Sequence, residues 1–125
     1  MIKSVVAIAS GAVLGALLRW SFAAQLNRLF PAIPPGTVVA NWLGAYLVGL
    51  IAGLFVANPH WLPEWRLFIF TGFLGALTTF STFSLEVVSL LQLQRYGTAL
   101  LAVSLHLFGS LLLTIAGFAT ARWLG

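Results

Sequence analysis

Apolar residues fill this chain in four long blocks, parted by short polar or proline-rich interruptions. A helix needs roughly 20 consecutive apolar residues to cross a bilayer core of about 30 Å. Four stretches meet that length, at about residues 4–26, 37–57, 65–93 and 97–123. The segment from Pro31 to Gly36 closes the first, because its prolines lack backbone donors and hold φ fixed. Asn58-Pro59 closes the second. Trp61, Trp65 and Trp123 fall at predicted span ends, the depth at which amphipathic rings are favoured. The pattern predicts an all-α membrane protein with four transmembrane helices in one domain, residues 1–125.

The third stretch does not read as one regular helix. Its roughly 29 residues would reach about 43 Å at 1.5 Å per residue. Its middle runs from Gly72 through Gly75 to a cluster of hydroxyls at Thr78, Thr79, Ser81, Thr82 and Ser84. Such side chains offer the backbone competing hydrogen bonds, and glycine lowers helix stability. The expectation is a break near residues 75–79, with the unwound backbone buried or lining a cavity. A straight helix notched by glycine, its hydroxyls bonded back to its own carbonyls, is the competing reading. Glycines four apart at Gly11 and Gly15, and at Gly49 and Gly53, suit close helix packing, within one subunit or between two.

Composition sharpens the picture. The chain is 61% hydrophobic and 6% charged, whereas soluble domains run at about 25% charged. The net charge of +4 comes from six single basic residues, Lys3, Arg19, Arg28, Arg66, Arg95 and Arg122. Nucleic-acid binding needs a clustered basic face, and none exists. Cysteine is absent, which removes disulfides and thiolate metal sites. A cleaved signal peptide is disfavoured, because the first run carries Gly11 and Gly15 at packing spacing and then Arg19. Four spans put Lys3, Arg66 and Arg122 on one side, with Arg28, Arg95 and an outward-reaching Arg19 on the other. So small a positive-inside bias permits insertion in both orientations, and hence an antiparallel dimer.

Polar groups within membrane spans usually face a protein interior or a pathway. Asn41, Glu86, His106 and the hydroxyl cluster stand out. His106, Ser110 and Thr114 are four apart and share a helix face. Phe80 and Phe83 also lie near one face. A phenyl ring has a positive edge, so ring edges beside hydroxyl and amide donors suit a small, strongly hydrated anion that must both enter and leave. Ordinary packing is the other reading of the two phenylalanines. Arg19 either snorkels to the headgroups or attracts anions at a vestibule, and a pair with Glu86 would neutralise both. Glu64 and Glu86 are the only acids, so no enzyme constellation forms.

The runs Gly11 to Arg19, Gly36 to Gly44 and Gly72 to Ser84 resemble those of the Fluc (CrcB) fluoride channels, in the family's order and across essentially the whole chain. The resemblance implies a passive, fluoride-selective channel in the bacterial inner membrane, built as an antiparallel, dual-topology homodimer with two pores. It implies pore roles for Asn41, Phe80, Ser81, Thr82 and Phe83, a polar track at Ser110 and Thr114, and a vestibule arginine at Arg19. It also implies a structural sodium ion on the dimer axis, held by the backbone carbonyls of Gly75 and Thr78 from both subunits. His106 stands where the polar track leads one to expect a hydroxyl. No organic cofactor is implied; fluoride, a second copy of the chain and the bilayer are the implied partners. The alternative is a small four-helix multidrug exporter coupled to protons. That transporter needs a carboxylate in its first helix, and no acid precedes Glu64 here. A membrane scaffold without transport activity fits poorly with a buried polar track.

Overall fold

The computed structural model describes residues 1–125, and it is all-α. Helix α1 (Ile2–Leu26) ends in one tight turn, Asn27–Leu29. Helix α2 (Pro35–Ala57) follows the proline-rich connection, and the short α3 (Pro63–Arg66) leads into an eight-residue π-helical stretch, Leu67–Leu74. Then come α4 (Gly75–Leu77), α5 (Phe80–Gln92) and α6 (Tyr96–Leu124). They compose four rods, Ile2–Leu29, Pro35–Ala57, Pro63–Gln92 and Tyr96–Leu124, each long and apolar enough to cross a membrane.

The connections follow from local chemistry. Helix α2 opens inside the proline segment, at Pro35, because the first helical position has no use for an N–H and favours a preset φ. Asn27 ties this turn down: its Oδ1 accepts the Gly36 N–H at 2.7 Å. Between α5 and α6 the chain reverses through Gln94, at φ 57°. Arg95 N–H donates to the Leu90 carbonyl and Gln94 N–H to the Leu91 carbonyl, both at 2.9 Å. These two bonds close a Schellman motif, with glutamine in the left-handed place that glycine usually takes.

Small residues set how the rods pack. Gly11 and Gly15 bring α1 against the backbone at Phe68 and Phe73, and Gly72 answers from the other side beneath the Ile8 carbonyl. Gly49 lies under the Thr114 carbonyl, and Gly117 lies beside Leu50 N. These approaches all occur within one chain, so the glycine pairs serve intrasubunit packing. Polar bonds pin α2 to α6: Trp42 Nε1–H donates to the Leu105 carbonyl at 2.9 Å, and Tyr46 O–H to Thr120 Oγ1 at 2.8 Å. Two small apolar clusters fill the interior, one around Leu74 and Leu77, the other around Val38, Leu90 and Ala102.

Only 19 of 125 residues are buried, so most large apolar side chains face outward. Such a surface suits lipid, where apolar exposure carries no penalty and helices satisfy their own backbone.

Candidate functional site

The third rod is interrupted at Thr78 and Thr79, which are extended, with ψ at 153° and 111°. Thr79 starts the new helix. Its Oγ1 accepts the Thr82 N–H at 3.1 Å, satisfying one of the donors that a helix start leaves open. Thr78 finishes the old one, with its amide and hydroxyl both donating to the Leu74 carbonyl. The straight, notched helix is therefore excluded, and the break falls where hydroxyls can replace the missing backbone bonds.

Asn41 bridges the gap from α2. Its Oδ1 accepts the Thr79 N–H at 2.7 Å, and its Nδ2 donates to the Thr79 carbonyl at 3.1 Å. The Thr79 amide, which a continuous helix would return to the Gly75 carbonyl, is thereby diverted. The same Nδ2 lies 3.1 Å from His106 Nδ1 on α6. The side chain of Asn41 thus stands in for the missing stretch of helix and links three rods at one depth.

Around this junction lies an open groove of about 500 Å³. Asn41, Phe80, Phe83, Ser110 and Thr114 line it, together with Gly75, Thr78, Thr79 and His106. Phe80 and Phe83 meet edge-on, with centroids 5.6 Å apart and planes at 66°. Phe83 also lies 4.6 Å from the His106 ring. Thr114 Oγ1 is within reach of the Ala45 and Ser110 carbonyls, at 2.9 and 3.0 Å, so its one hydrogen is committed to the backbone. The Ser110 hydroxyl has no such commitment. Phe80 is 78% exposed, so the groove is open on its side.

Other residues singled out in the sequence lie elsewhere. Ser81 and Thr82 belong to the hydroxyl cap, with Ser81 Oγ 3.3 Å and Thr82 Oγ1 3.0 Å from Thr79 Oγ1. Arg19 sits against the break from the α1 side, and its Nε–H donates to the Ala76 carbonyl at 2.9 Å. The expected pair of Arg19 with Glu86 does not form. Glu86 Oε2 instead accepts the Thr37 hydroxyl at 2.7 Å. The break is the cause: α1 packs against the part of the third rod before Thr78, whereas Glu86 lies beyond it on α5, within reach of Thr37 on α2. Sequence reasoning missed the Thr37–Glu86 bond, which spans 49 positions and has no local signal. It also missed Thr79 as a cap, although threonine is a favoured N-cap residue type.

The donor and acceptor chemistry at the break also bears on a cation. The Thr78 carbonyl accepts no hydrogen bond from the chain, and Gly75 is exposed with only the Phe70 carbonyl near its missing side chain. Thr78 is extended, and an unwound carbonyl of its kind suits a cation, whereas Gly75, at φ −61° and ψ −35°, is helical.

Residues 6–118 match the family described as CrcB-like protein, Camphor Resistance (CrcB). The chain belongs to the CrcB family. A protein of Pseudomonas putida named "Fluoride-specific ion channel FluC" is 57% identical over 120 residues, covering 96% of this chain and 94% of that one. Proteins of the same name from Chromohalobacter salexigens and Nitrosomonas europaea are 58% and 52% identical, over 94% and 98% of this chain and 89% and 97% of theirs. With its four apolar rods, this CrcB-family chain is a multi-pass membrane protein.

Proposed function

We propose that the chain is a fluoride-selective channel of the bacterial inner membrane, working as an antiparallel homodimer that lets fluoride leave the cytoplasm passively. The observation that carries this reading is the groove at the break, lined by two phenylalanines packed edge-on, an imidazole and a serine with an uncommitted hydroxyl in an apolar chain. The names of the relatives point the same way. A largely dehydrated fluoride would pass between ring edges and hydrogen-bond donors, each contact favourable enough to admit it and weak enough to release it. Chloride, larger and softer, would lose in a narrow path lined with fixed donors.

A second copy of the chain is the proposed wall on the groove's open side. The exposure of Phe80 and Gly75 in mid-span argues for it, as does the near-even distribution of basic residues between the two ends. Two-fold symmetry would bring the Gly75 and Thr78 carbonyls of both copies together as four oxygen ligands. A sodium ion bound there would supply fixed positive charge that holds the two breaks face to face. Arg19 and the Thr37–Glu86 pair would set the potential and the hydrogen bonds at the approach to the groove.

The test is fluoride efflux from liposomes holding the purified protein, with valinomycin releasing potassium and chloride-loaded vesicles run in parallel. Fluoride release without chloride release is expected. Phe80→Ile and Phe83→Ile should each slow fluoride efflux at least about tenfold, an increase of roughly 1.4 kcal/mol in the barrier, while the protein keeps its elution position. Normal efflux from the double variant would sink the aromatic path.

A further inference from the structure

We infer that Asn41 is a positioning residue that fixes the tautomer of His106, so that His106 Nε2–H, and not the Asn41 amide, is the donor offered to the anion at this depth; the inference rests on reading the groove as a fluoride path.

The hydrogen-bond geometry leaves one assignment. A backbone N–H can only donate, so the end of the Asn41 amide that faces Thr79 N at 2.7 Å must be the carbonyl oxygen. The other end is then the NH₂ group, with two hydrogens and two acceptors in reach: the Thr79 carbonyl and His106 Nδ1, each at 3.1 Å. A donor facing Nδ1 requires a bare lone pair there. In a neutral imidazole the proton then sits on Nε2. Both hydrogens of Asn41 are spent, so the asparagine has none left for an ion.

Nε2 of His106 has no partner within the chain, although the residue is only 5% exposed. An N–H buried without an acceptor is costly, so this donor calls for one. An anion accepts and never donates, which matches it. His106 lies one helical turn from Ser110, whose hydroxyl is also uncommitted, and both residues line the groove, with Nε2 buried behind its wall. The opposite tautomer would press two hydrogens together at Nδ1 and turn a lone pair on Nε2 toward the ion. The amide of Asn41 therefore decides whether this position attracts or repels fluoride. It does so while closing the break, because the same group pairs with both backbone atoms of Thr79.

The experiment uses ¹⁵N-histidine-labelled protein in liposomes, in a His60→Gln background that leaves His106 as the only histidine. His60 lies exposed in the connection between α2 and α3, away from the groove. Solid-state NMR at neutral pH should show a protonated Nε2 and a bare Nδ1, and sodium fluoride should shift Nε2 where sodium chloride at equal concentration does not. Asn41→Leu should release the lock and give a mixture of tautomers. In efflux assays His106→Gln, which keeps an N–H donor, should stay within about threefold of the parent. His106→Phe, which keeps the ring against Phe83, should lose at least about tenfold, as expected when a hydrogen bond to a charged acceptor is removed. A bare or unresponsive Nε2, a doubly protonated ring, or normal efflux from His106→Phe would each overturn the inference while the fluoride reading stood. No fluoride efflux from the parent protein would overturn that reading and the anion's part in this one.

Discussion

Gly15 on α1 offers a sharp test of the packing that holds the break in place. A Cβ at this position would overlap the Phe73 carbonyl oxygen and lie 3.0 Å from Leu77 N, whereas ordinary contact begins near 3.4 Å. Both obstacles are helix backbone, so no rotamer change can relieve them, and α1 must withdraw by about 1 Å. Arg19 lies one turn further along the same helix, and its 2.9 Å bond to the Ala76 carbonyl would stretch with that withdrawal. Overpacking costs about 1–3 kcal/mol. Loss of a hydrogen bond from a charged group adds about 1.5–3 kcal/mol. Alanine returns about 1 kcal/mol of helix propensity. The net expectation for Gly15→Ala is a destabilisation of about 1.5–5 kcal/mol. Gly97→Ala is the matched control, since nothing lies within 4 Å of a Cβ there and only the gain in propensity remains. Reversible unfolding in mixed detergent micelles, followed by circular dichroism, should place the two variants on opposite sides of wild type. Gly15→Ala as stable as Gly97→Ala would refute close backbone packing between α1 and the third rod.

Two further variants probe polar and backbone chemistry by the same unfolding assay. Thr37→Val removes the hydroxyl that Glu86 Oε2 accepts at 2.7 Å; it should cost about 1–3 kcal/mol, with Thr37→Ser restoring most of it, and equal stability of all three would show the bond to be idle. Gln94→Gly relieves a left-handed residue at φ 57° and should raise stability by about 1 kcal/mol, whereas a loss would mean that the glutamine side chain itself holds the turn.

The membrane rods were legible because lipid imposes so simple a demand. Twenty apolar residues in a row admit few other readings, and prolines and Asn58-Pro59 mark the ends without help from tertiary contacts. The break was legible as a zone, since hydroxyls and glycines compete with a helix locally. Its place at Thr78–Thr79 was not, because it depends on Asn41, 38 positions away, taking the Thr79 amide. The π-helical stretch Leu67–Leu74 likewise has no mark in the local sequence. Of the residues singled out, Asn41, Phe80, Phe83, Ser110 and Thr114 share the groove, whereas Ser81, Thr82 and Arg19 face other partners. Helical spacing reports which residues of one rod share a face, but carries no information about which rod that face meets.

The sequence by itself determined the solvent, the number of crossings and the residue types that a pathway would need, because hydrophobic length and residue chemistry are local properties. Only the tertiary structure decided the partners. It gave Arg19 to a backbone carbonyl, Glu86 to Thr37, and Asn41 to both Thr79 and His106. Hydrogen bonds act over about 3 Å, so each waits on the packing of rods far apart in the chain, and that packing is set by where glycine lets two backbones touch.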